Sequence, residues 1–98
     1  MINETDVIVF NSKGEVVVSF QNLMAVCTPR EFQIAQLLGK GYTNKTIASI
    51  IFIEPRTVER HIANIFNKFH MKANGGNLFM PRILIALAAR GFTTTFQP

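Results

Sequence analysis

The 98-residue chain carries ten Lys or Arg, six Asp or Glu and 48% apolar residues, for a formal charge of +4. This allows one small domain with a core, and the excess of cations suits a polyanionic partner. A lone cysteine, Cys27, excludes an internal disulfide and a cysteine-based zinc site. No apolar run approaches the ~18 residues of a membrane span, and no basic segment leads into an apolar one as in a signal peptide.

The charge is unevenly spread. Residues 1–26 set Lys13 against Glu4, Asp6 and Glu15, a net of −2, whereas residues 27–98 set nine Lys or Arg against three Glu, a net of +6. In chain order, the apolar runs at 7–10 and 16–20 read as two strands joined at Asn11-Ser12-Lys13-Gly14, with Gly14 suited to a left-handed position. An isolated hairpin is marginal in water. This one must therefore pack on the helical part, on a second copy or on another domain.

Four helices are predicted after it. Thr28, Pro29 and Glu31 open the first with a capping box, and Cys27 and Phe32 sit where a hydrophobic staple would place them, so Cys27 reads as packing. Phe32, Ile34, Ala35, Leu37 and Leu38 form its apolar side, and Gly39 and Gly41 end it. Thr43 caps the second helix, with Ile47, Ala48, Ile50 and Ile51 as its apolar residues. The third opens at Glu54-Pro55, where Glu is a weak cap. Val58, Ile62, Ile65, Phe66 and Phe69 recur on its core side and leave Glu59, Arg60, Ala63, Asn64 and Asn67 outside. Asn74-Gly75-Gly76-Asn77 reads as a loop. The last helix, about Pro81 to Arg90, is apolar on every side between two arginines, and Gly91 stops it. A surface helix of a small domain should have a polar face, so this one calls for a second burial surface, most simply another subunit.

Two short helices joined by a tight turn, the second with a polar and partly basic outer face, are what a protein needs to insert a helix into the DNA major groove. Lys45 and the amides at the start of the second helix would lie near phosphate. Arg56 and Thr57, in the first turn of the third helix, are within reach of phosphate. Arg60 is the best base reader, since a guanidinium holds guanine O6 and N7 bidentately. Glu59 could accept from cytosine N4, and Asn64 could contact a base edge or a phosphate. Lys68 and Lys72 lie further along and add screened attraction. His61 borders the apolar face and reads as a packed residue. Catalysis finds little support: Asp6 is the only aspartate, and Ser12, Ser19 and Ser49 have no base at useful spacing. His61 and His70 are nine residues apart and point to different sides of a helix, so they do not form a metal pair. No cofactor motif is present.

The segment Thr28 to Lys72 resembles the LuxR-type (GerE-type) helix-turn-helix domain of bacterial transcription regulators. The matching pieces are Thr28-Pro29-Arg30-Glu31, Gly41-Tyr42-Thr43-Asn44-Lys45 with Ile47-Ala48, Arg56-Thr57-Val58-Glu59-Arg60-His61-Ile62 and Asn67-Lys68. The resemblance implies backbone contacts from Asn44, Lys45 and Thr57, base contacts from Glu59, Arg60 and Ala63, and a homodimer contact through the fourth helix at Ile83, Leu84, Leu87 and Ala88. The chain departs from the pattern at Thr46, where a Glu would complete a capping box, and at Glu54, where a Ser would cap. It departs again at Ala63, where some members carry a basic residue, and in a link lengthened by residues 75–81.

The expected architecture is mainly α. A four-helix LuxR/GerE-type helix-turn-helix domain (27–92) follows a short N-terminal β-hairpin extension (1–26) and precedes a C-terminal tail (93–98). The expected function is that of a cytoplasmic, nucleoid-associated, sequence-specific transcription regulator. It would bind double-stranded DNA as a homodimer, stand-alone or as a fragment of a longer protein, with RNA polymerase or a regulatory protein as further partners. The rival reading is a protein-interaction module that keeps the fold without binding a specific operator.

Overall fold

The computed structural model describes residues 8–71 and 79–98, with the side chain of Phe79 excepted. Its elements run β1 (Val16–Val18), α1 (Phe20–Val26), α2 (Pro29–Gly39), α3 (Asn44–Ile51), α4 (Pro55–Lys68), α5 (Phe79–Ala89) and β2 (Thr94–Phe96). No helix among the described residues is long and apolar enough to cross a membrane.

The N-terminal segment differs in detail from expectation. The turn forms as read: Asn11 Oδ1 accepts from the amides of Lys13 and Glu15 at 2.9 and 3.0 Å, and Gly14 sits at φ +76°. The hairpin it closes is a single bridge, Phe10 to Val16. Ile8 and Val9 are helical, and Val7 lies outside the described residues. A four-residue apolar run without alternation suits either state. The ladder of β1 is made with the chain's other end, with Val16 opposite Phe96 and Val18 opposite Thr94 in antiparallel register. The tail is thus a strand. The expected strand at 16–20 stops at Val18 because Ser19 turns the chain into α1, its hydroxyl accepting from the Asn22 amide at 3.1 Å.

The helical part follows its caps. The Thr28 hydroxyl accepts from the Glu31 amide, and the Glu31 carboxylate accepts from the Thr28 amide at 2.9 Å, which completes the capping box. Gly41, at φ +87°, supplies the left-handed residue that lets α2 end. Thr43 caps α3 by accepting from the Thr46 amide at 3.2 Å. Where a longer acid would reach back, the Thr46 hydroxyl lies 3.1 Å from that of Thr43. Glu54 makes no side-chain cap, as its residue type suggests.

One contiguous core joins all of these pieces. Val9, Val16, Val18 and Leu23 from the extension lie in the same cluster as Ile34, Ile47, Val58, Ile65 and Ile85. The extension packs on the helical part of its own chain, chiefly through α1 and β1 against α5. This answers the expectation of a second burial surface for the last helix. α2 covers one side, α1 and β1 cover another, and Ala88 has no exposed surface left for a partner. What stays outside the core cluster is a stripe of Met80, Ile83 and Leu87 at helical spacing.

The approach of α2 to α5 depends on Gly39. A Cβ there would meet the Ala89 Cβ at 3.1 Å and the Ala86 carbonyl at 3.2 Å. Gly39→Val should therefore push the helices apart and cost about 1–3 kcal/mol. Urea unfolding will show this as a lowered midpoint.

Candidate nucleic-acid interface

α4 is the longest helix among the described residues and is sharply two-sided. Val58, Ile62, Ile65 and Phe66 are buried, while Arg56, Glu59, Arg60, Ala63, Asn64 and Asn67 are exposed. Stepping by 100° per residue, Arg56, Arg60, Ala63, Asn64 and Asn67 share the outward sector and Glu59 lies at its edge. Thr57 is half-buried on the flank. The three-residue turn Phe52 to Glu54 joins α4 to α3, with Phe52 in the left-handed region at φ +58° and almost fully exposed.

The start of α3 lies beside this face. Lys45 is exposed and Asn44 half-buried. Asn44, Glu59, Ala63, Asn67 and Arg82 all line one recess of about 220 Å³ whose other walls are the buried Ile62, Phe66 and Met71. The recess brings expected backbone-contact and base-contact residues within one small area. Among the described residues no acid pairs with Lys45, Arg56 or Arg60, so these cations face solvent with their charge available.

Lys68 is placed differently. Its ammonium stands 2.5 Å from Glu31 Oε1, the same oxygen that accepts from the Thr28 amide. Glu31 is 4% exposed. Burial alone would push its carboxyl up, but the Lys68 ammonium and the Thr28 amide and hydroxyl hold it below its ordinary value. Lys68 therefore serves to neutralise a buried acid and to tie the end of α4 to the start of α2, away from the outward face. Lys72 lies outside the described residues. His61 is half-buried at the edge of the face. Cys27 is also a packing residue. Burial and the nearby Glu31 charge push its thiol up to about 12, so it stays protonated.

Sequence reasoning missed Arg82. From the start of α5 its guanidinium donates from Nη1 to Asn44 Oδ1 at 2.7 Å and from Nη2 to the Tyr42 carbonyl at 3.0 Å. Partial burial lowers its pKa from the ordinary arginine value. A polar residue at the mouth of an apolar helix was the only sequence signal. Its partners are 38 and 40 residues away.

The geometry is that of a helix-turn-helix unit whose second helix has a polar, cationic outer face. A family model described as bacterial regulatory proteins, luxR family, matches residues 25–74, and the chain belongs to that family. It is 35% identical over 63 residues to the oxygen regulatory protein NreC of Staphylococcus carnosus, covering 64% of this chain and 29% of that protein. It is 36% identical over 67 residues to the response regulator protein VraR of Staphylococcus saprophyticus, covering 61% and 32%. It is 32% identical over 54 residues to the transcriptional regulatory protein DegU of Brevibacillus brevis, covering 55% and 23%. The chain thus spans about a third or less of the length of these curated relatives. No solved structure matches it significantly.

Replacing Lys68 by Met leaves the buried carboxylate without its cation and should cost about 1–3 kcal/mol in urea unfolding. Glu31 has a lowered pKa when folded, so its contribution is full above the unfolded value near 4.5 and is lost as pH falls through the native value. The stability gap between wild type and Glu31→Gln should therefore be constant near neutrality and close in acid, as followed by thermal melts.

Proposed function

We propose that this chain is a sequence-specific DNA-binding transcription regulator that acts in the cytoplasm, on the nucleoid, with α4 in the major groove. The observation that carries the reading is the outward face of α4, cationic in its first turns and set beside the N-terminus of α3. Family membership supports DNA as the partner. Asn44, Lys45, Arg56 and Thr57 would hold the phosphates, with the free amides at the starts of α3 and α4 adding donors. Arg60 would read guanine, while Glu59, Ala63 and Asn64 complete the base-facing set. Ala63 offers a methyl group rather than a charge, which suits a thymine methyl.

Two copies on dyad-related half-sites are part of the proposal. The apolar stripe Met80, Ile83 and Leu87 of α5 is the surface that supports it. Leu84 leans on the core, so a charge there would disturb folding before it disturbed assembly. The rival reading, a protein-interaction module, would leave Lys45, Arg56 and Arg60 without a task.

Selection from a random duplex pool at physiological salt should enrich an inverted repeat, and failure to enrich any sequence would remove the operator-binding reading. On the selected duplex, Arg60→Ala should cost about 1–3 kcal/mol while changing affinity for random DNA little; equal weakening on both would assign Arg60 to phosphate. Leu87→Glu should yield a monomer by sedimentation with the thermal melt retained, and a persistent dimer would place the contact elsewhere.

A further inference from the structure

The amide side chain of Asn44 has two unlike ends, and only one of them suits a phosphate. The NH₂ end donates, and the carbonyl end accepts and is repelled by phosphate oxygens. An unrestrained carboxamide at the start of α3 would present either end. In this fold it is restrained by Arg82, which has no acceptor and so bonds only the oxygen, at 2.7 Å. The second arm of the same guanidinium holds the Tyr42 carbonyl at 3.0 Å, two residues before Asn44. The fork thus fixes both the side chain and the backbone leading into it. Oδ1 is turned toward α5, and Nδ2 is left without an acceptor among the described residues.

We propose that Arg82 is a positioning residue for DNA binding, orienting Asn44 so that its NH₂ group meets a backbone phosphate. The inference rests on the DNA-binding reading and assigns it a residue outside the helix-turn-helix unit. Arg82 acts through Asn44, and its own charge is not the contact. Because Arg82 belongs to α5, the backbone contact at α3 is set by the same helix that carries the apolar stripe.

The test uses mixed-sequence duplex DNA, since a phosphate contact does not depend on sequence, with fluorescence anisotropy at several salt concentrations. Thermal melts check that each variant is folded. Arg82→Ala and Asn44→Ala should each weaken binding about ten- to a hundredfold, the worth of one hydrogen bond to a charged group. The double variant should be no weaker than either single one. Arg82→Lys should behave like Arg82→Ala, because an ammonium keeps the charge but lacks the two-armed fork. The slope of log affinity against log salt should stay as in the wild type, because a residue that does not itself neutralise phosphate releases no counterion.

Losses that multiply in the double variant, full binding by Arg82→Lys, or a slope reduced by about one would overturn the proposal and make Arg82 a direct charge contact. Wild-type affinity in Arg82→Ala would overturn it as well. Wild-type affinity in Asn44→Ala would remove the phosphate contact and the proposal together, leaving the wider DNA-binding reading intact. Absence of binding by the wild type would sink that wider reading first.

Discussion

The last helix carries almost no polar surface of its own, and much of the remaining chain is arranged to cover it. α5 is apolar from Ile83 to Ala89, and its Ile85 and Ala88 have no exposure at all. α2 reaches it because Gly39 lets two helices approach to within a methyl contact. On another side stand α1 and β1, which are held in turn by the ladder from β1 to the C-terminal strand β2. A lone two-stranded ribbon has little stability in water. Here Val16 and Val18 are buried in the common core, so the ribbon and the helix stabilise each other. The residues at the two ends of the described chain are thus part of the same packing problem as the domain between them.

α4 depends on a second device, at its far end. A capping carboxylate normally sits in water, but Glu31 is almost wholly buried and needs a cation. Lys68 supplies it from the last turn of α4, where a positive charge also complements the helix dipole. One pair therefore joins the capping box of α2 to the last turn of α4. The arrangement removes a cation from the surface that sequence had assigned it to, while Arg56, Arg60 and Lys45 stay there with no acid paired to them among the described residues.

Much of this was legible in the sequence where the information is local. Thr28-Pro29-Arg30-Glu31 announces a capping box, Val58 to Phe69 announces a one-sided helix, and Asn11 to Gly14 announces a turn; all three form. Local patterns do not say which distant partner a strand or a charge will find. Val16 to Val18 looks the same whether its neighbour is residues 7–10, which lead into a turn, or 94–96, which follow a glycine. The helix at Phe20 was hidden because Ser19 was read as a strand residue rather than as a cap, although Leu23 falls at helical spacing behind it. The pairing of Lys68, expected near phosphate, and the role of Arg82, which had none assigned, stayed hidden for the same reason. Their acceptors, Glu31 and Asn44, lie more than thirty residues upstream.

The all-apolar character of α5 had suggested a second subunit, and the fold shows how such an inference must be narrowed. Most of the helix is satisfied within its own chain, so only the stripe of Met80, Ile83 and Leu87 bears on assembly. That stripe and Arg82 sit on one rigid element. On the proposed reading, a helix that joins two copies also orders the donor of Asn44 in each, so assembly and backbone contact share a support. Fixing a carboxamide before DNA arrives lowers the ordering cost that binding would otherwise carry. It also explains why a desolvated guanidinium is kept at the mouth of an otherwise apolar helix. A cation held only for attraction would be better left in water, whereas one held for geometry needs the partly buried fork that Arg82 provides.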